Sequence, residues 1–121
     1  MSEADSGGAG EGGLQGRLDA LRRAFRAKVP VFASELRAAA ESVEAAPDAA
    51  ARDSALDVVR RQAHRVAGTA ATYGMDDLAD AHRRAERAAG ASGNSVDPEK
   101  LWAAVADVER IAADVGADGD T

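Results

Sequence analysis

The sequence contains no cysteine in its 121 residues, which excludes disulfide and thiolate chemistry. Aromatic side chains are scarce, with two Phe, one Tyr and one Trp, so any core must be built from small aliphatic residues packed closely. No apolar run approaches the roughly 18–20 residues needed to span a bilayer. The N-terminus lacks a basic region followed by an apolar one, so no secretory signal is read and the expected location is cytoplasmic. Basic residues are outnumbered 15 to 21, leaving a formal net charge of −6. That argues against nucleic acid as a partner, because phosphate backbones attract net basic surfaces. Equally missing are a Glu-x-x-His pair, a His-Glu-x-x-His zinc motif, a phosphate-binding Walker loop, a dinucleotide glycine fingerprint and a nucleophile elbow. No metal site and no bound cofactor are expected.

Helical periodicity fills the space left by these absences. No alternating strand pattern occurs, so the fold class is all-α. Residues 1–13 are Gly, Ser, Ala and acid without apolar period, and are expected to form a disordered acidic tail. Leu14, Leu18, Leu21 and Phe25 then mark a helix over about 14–28. Pro30 predicts a break or kink, followed by a second helix from Pro30 to about Ala46. Asp48 is placed to cap a third helix, with Asp53 or Ser54 as later alternatives, and Gly74 to close it. Asp76 and Asp77 fall in the first turn of a fourth helix, where anions are favourable. Asp97-Pro98-Glu99 opens a fifth, with a cap, a proline and an acid in order. Short connections between long helices imply antiparallel neighbours in an up-down bundle over 14–115, with residues 116–121 frayed.

The third helix carries the chemically interesting stretch. Leu56, Val59, Ala63, Val66, Ala70 and Tyr73 recur at spacings of three and four and form one apolar stripe. His64 lies about 140° from its centre at 100° per residue, and should face water. Its neighbours a turn onward are small: Ala67, Gly68 and, a turn further, Ala71. A turn back lie Arg60 and Arg61, with Arg65 next in sequence. A mid-helix glycine costs about 0.5–1 kcal/mol relative to alanine, so Gly68 calls for a reason. Either something approaches His64 closely or a neighbouring helix packs tightly there. His82 sits at the edge of the fourth stripe and is expected to be half-buried, Arg83, Arg84 and Arg87 to form a charged face, and Trp102 to flank the core.

His64, Gly68, Thr69, Gly74 and Leu78 together resemble the signature of the histidine-containing phosphotransfer (HPt) domain, His-x-x-x-Gly-Thr with glycine at plus ten and leucine at plus fourteen. One position departs: the family usually carries lysine three after the histidine, and this chain has Ala67. The resemblance implies a four-helix bundle with an additional N-terminal capping helix. It also implies that His64 accepts a phosphoryl group and relays it to and from the aspartate of response-regulator receiver domains, or receives it from a hybrid histidine kinase. Mg²⁺ would reside on the partner receiver, not on this chain. A free imidazole, with a pKa of about 6.5, is mostly neutral at pH 7 and already nucleophilic. Arg60, Arg61 and Arg65 would offset the phosphoryl charge, and the small residues Ala67, Gly68 and Ala71 would let the partner dock. The chain is expected to act as a monomeric carrier without kinase chemistry. Three alternatives are a phosphorylation-independent scaffold of the same shape, the phospho-accepting domain of a chemotaxis-type kinase, and a plain helical adaptor.

Overall fold

The computed structural model describes the backbone of residues 2–119 and the side chains of residues 13–116. Four α-helices follow in order: α1 (Ser2–Ala45), α2 (Ala49–Thr72), α3 (Asp76–Ala88) and α4 (Pro98–Gly119), with a single 3₁₀ turn at Ala91–Gly93. Most of the two segments expected outside the bundle, 1–13 and 116–121, lies beyond the described side chains. In the backbone, α1 begins at Ser2 and α4 ends at Gly119.

Each helix packs on two neighbours in a closed ring, α1 on α2, α2 on α3, α3 on α4 and α4 on α1. Side-chain pairs give the direction. Along the α1–α4 seam the Trp102 Nε1–H donates to Glu44 at 2.6 Å, and Arg37 donates through two nitrogens to Glu109, so the two helices run oppositely. Arg84 of α3 meets Asp107 of α4, and the rings of Phe25 and Tyr73 pack at a tilt of 45° with centroids 5.5 Å apart where α1 passes the end of α2. The result is the expected up-down antiparallel bundle. Trp102 flanks the core as expected, and the Arg37 guanidinium lies 5.3 Å from its ring centroid.

One expectation needs correcting. Pro30 does not divide the first helical region, because residues 14–28 and 30–45 belong to the single helix α1. Pro30 is exposed, so its ring lies on the outer face of the helix, where a missing backbone bond is least costly. The opposite face carries Phe25, Val29, Ala33, Leu36, Ala39, Ala40 and Val43 into the core without a change of register. The same stripe continues outward through Leu14, Leu18 and Leu21, which are exposed. The extra N-terminal helix is therefore the overhang of α1.

Cap chemistry fixes the other ends. Asp48 is the N-cap of α2 and accepts from the Ala51 N–H at 2.8 Å. α2 closes with Gly74 at φ +75°, where the Gly74 N–H bonds the Ala71 carbonyl and the Met75 N–H bonds the Ala70 carbonyl, a Schellman arrangement. Asp97 caps α4 through the Lys100 N–H. Gly90 ends α3 at φ +96°, and a Cβ there would stand 3.3 Å from Val96 Cγ2. Gly90→Ala combines a disfavoured backbone with a crowded side chain, and is expected to cost about 2 kcal/mol. A denaturant titration checks this. A loss below about 0.5 kcal/mol would mean that the turn relaxes freely.

The core is rich in alanine and valine, and its only leucines are Leu36, Leu56, Leu78 and Leu101 among the described residues. Two polar side chains are buried in it, Gln62 and His82. Gln62 donates to the Phe32 carbonyl of α1.

Candidate functional site

The stripe that buries α2 also exposes His64. Leu56, Val59, Ala63, Val66 and Ala70 are buried, while 79% of the His64 side chain is open to solvent. The antiparallel course of α3 brings Glu86 opposite. Its Oε2 lies 2.9 Å from His64 Nδ1, and only 23% of the Glu86 side chain is exposed. A carboxylate can only accept, so Nδ1–H donates to it and the lone pair falls on Nε2, the nitrogen turned outward.

Around the imidazole is a shallow cavity of about 260 Å³, built from three elements. From α2 come His64, Ala67 and Gly68; from α3 come Arg83, Glu86 and Arg87; from the turn that follows come Ala91 and Ser92. Ser92 holds a left-handed backbone, φ 58°, between Gly90 and Gly93, which are also left-handed. That curl folds the turn back over the end of the cavity. Ala67 is buried in the floor. A Cβ on Gly68 would meet nothing within 4 Å, so packing within the chain does not demand glycine there. Tight packing against a neighbouring helix, one of the two reasons weighed for Gly68, is therefore not found.

The three arginines singled out on α2 do not converge on the histidine. Arg60 turns along the α2–α3 seam, where its guanidinium donates to the Ala89 carbonyl and to Asp57 at 2.6 Å. That guanidinium holds the Asp57 carboxyl below its ordinary value. Arg61 donates to the Asp57 carbonyl and lines a groove on the α1 side with Arg65. Arg65 also lines a second α1–α2 groove with Phe25 and Tyr73. Ala71 is exposed one turn beyond the cavity. The partners that complete the site, Glu86 and Arg87, come from α3. Periodicity along α2 cannot reveal them, since only helix pairing brings Glu86 to His64 and Arg87 to the cavity wall. The one sequence signal was the Arg83, Arg84, Arg87 face, which carries no register by itself.

His82 differs from His64 in every respect that matters. It is fully buried rather than half-buried. Its Nδ1–H donates to the Leu78 carbonyl at 2.9 Å, and its Nε2 has no partner among the described residues. Burial pushes its pKa down, against the smaller opposing effect of the Leu78 bond, and keeps it neutral in the core. Among the described residues no group of three or more His, Asp or Glu is arranged to hold a metal ion, and no helix is long and apolar enough to cross a membrane.

A family model described as the Hpt domain matches residues 14–114. No curated protein and no solved structure matches the chain.

Proposed function

The chain belongs to the Hpt domain family, and on that premise we propose that it is a phosphocarrier that relays a phosphoryl group through His64. The observation that carries this reading is the pairing of an exposed imidazole with a carboxylate on its inner nitrogen. Nε2 then presents its lone pair to solvent. The donor is an aspartyl phosphate on a receiver domain, carried by a response regulator or by a hybrid histidine kinase. The receiver brings the Mg²⁺ that neutralises phosphoryl oxygens during transfer.

In the forward step the Nε2 lone pair forms the N–P bond as the bond from phosphorus to the aspartate oxygen breaks. The aspartate leaves as a carboxylate with that electron pair. The proton stays on Nδ1, so the ring becomes a cation held by Glu86. The reverse step returns the phosphoryl to a carboxylate and leaves the imidazole neutral. Transfer of this kind depends on positioning and charge neutralisation, and the open floor at Ala67 and Gly68 admits the partner's pocket. The chain supplies no ATP site of its own in this reading, and it works in the cytoplasm as a monomer.

The test is transfer itself. The purified chain, mixed with Mg²⁺ and a phosphorylated receiver from the same cell, should acquire an acid-labile, base-stable label. Binding to a receiver with no label, across several receivers, would instead support a phosphorylation-independent scaffold, the reading that Ala67 favours.

Glu86 offers a second measurement. Glu86→Gln preserves the shape and a hydrogen-bond acceptor but removes the charge that balances the ring cation. Labelling is expected to slow about tenfold, the effect of weakening one charge-assisted hydrogen bond at a partly exposed site. Stopped-time labelling beside a circular-dichroism melt separates this from misfolding. An unchanged rate would show that Glu86 only orients the ring.

A further inference from the structure

Phosphorylation creates an electrostatic problem in the His64 cavity. Glu86 already places a carboxylate on Nδ1. A phosphoryl group on Nε2 adds three acceptor oxygens and nearly two negative charges across the width of one ring. A cation must stand near those oxygens to offset both anions. On α2 none is positioned for it: Arg60 is bonded to the Ala89 carbonyl and Asp57, and Arg61 and Arg65 line the α1 side. Position 67, one turn from His64, holds the small buried side chain of Ala67.

Two arginines line the cavity, and both belong to α3. Arg83 is engaged with Asp80 at 3.2 Å. Arg87 makes no side-chain hydrogen bond or ion pair among the described residues, and it is exposed. It sits next to Glu86 in sequence, so the residue that binds Nδ1 and the residue available for the phosphoryl group arrive on adjacent positions of one helix. Its long stem can carry the guanidinium over the cavity, and its planar fork suits two oxygens of a phosphoryl group.

We propose that Arg87 is the phosphoryl-contacting cation of this site, reaching from α3 to do what a lysine at position 67 would do from α2. The assignment rests on the reading of His64 as the phosphorylated residue. It makes α3 supply both charges of the site, the carboxylate for the ring and the guanidinium for the phosphoryl group. A partner domain then need not provide that cation.

The experiment uses the full chain and phosphoramidate, a small donor that needs no partner protein. Nε2 displaces ammonia from phosphorus, with the leaving nitrogen protonated by solvent. The variants are Arg87→Gln, Arg87→Lys, Arg84→Gln and the double variant Arg87→Gln with Ala67→Lys. Arg84 is a charge-matched control on the same helix: it pairs with Asp107 and does not line the His64 cavity. Arg87→Gln is expected to label about tenfold more slowly than wild type, the effect of losing one charge-assisted contact at a partly exposed site. Arg87→Lys should retain most of the rate, Arg84→Gln all of it, and the added lysine should recover the double variant. Equal rates for Arg87→Gln and wild type overturn the assignment while leaving His64 as the carrier. Equal losses in Arg87→Gln and Arg84→Gln also overturn it, by showing a general charge effect. A wild-type chain that labels from neither phosphoramidate nor a receiver removes the carrier reading itself.

Discussion

His64→Gln is expected to abolish phosphoryl transfer while leaving the bundle intact. The amide of glutamine has no basic lone-pair nitrogen, so no N–P bond can form at position 64. The side chain is 79% exposed, and its one polar partner is Glu86 at the surface, so folding loses little with it. The only other imidazole is His82, which is fully enclosed and cannot meet a phosphorylated partner. Wild type should therefore carry an acid-labile label and the variant none, with melting temperatures within a few degrees of each other. A label persisting on the variant would place the accepting residue elsewhere. The comparison also separates functions, because a scaffold would keep binding its partner after the substitution.

The second large effect concerns stability. Leu36→Ala is expected to cost about 3 kcal/mol, the middle of the range for emptying a buried leucine site. Leu36 is fully buried on α1, and it is surrounded by a core of mostly alanine and valine. Such neighbours have few rotamers with which to fill a void, so the cavity should persist rather than collapse. Against a typical domain stability of about 5–15 kcal/mol, one leucine is a large share. Thermal unfolding by circular dichroism should show a midpoint lower by roughly 15 °C. Leu14→Ala is the control, since Leu14 is 54% exposed on the overhang of α1 and should change stability by no more than about 0.5 kcal/mol. Equal losses at the two positions would mean that the overhang is packed in solution.

Periodicity alone settled the class, the buried stripe of α2 from Leu56 to Ala70 and the exposure of His64. These follow from residues a turn or two apart, whose relation is fixed by helix geometry before any tertiary contact forms. The caps at Asp48 and Asp97 and the left-handed close at Gly74 were equally legible, because a side chain bonding a backbone N–H three residues on is a local event. Pro30 misled for the complementary reason. Its local penalty is real, yet burial of the opposite face from Phe25 to Val43 decides the outcome, and burial is summed over the whole bundle.

The surroundings of His64 belong to tertiary structure. Position along α2 suggested Arg60, Arg61 and Arg65 as its cations, but what a long side chain bonds depends on which helix lies beside it. Arg60 found the carbonyl at the end of α3, and the other two faced α1. Glu86 and Arg87 stand more than twenty residues away in the chain, and the first bonds His64 and the second lines its cavity only because α3 returns antiparallel at one particular register. A sequence specifies an exposed nucleophile through a period of 3.6 residues. The charges that stand beside it are specified by the packing of alanine and leucine layers between two helices, and no local rule encodes that distance.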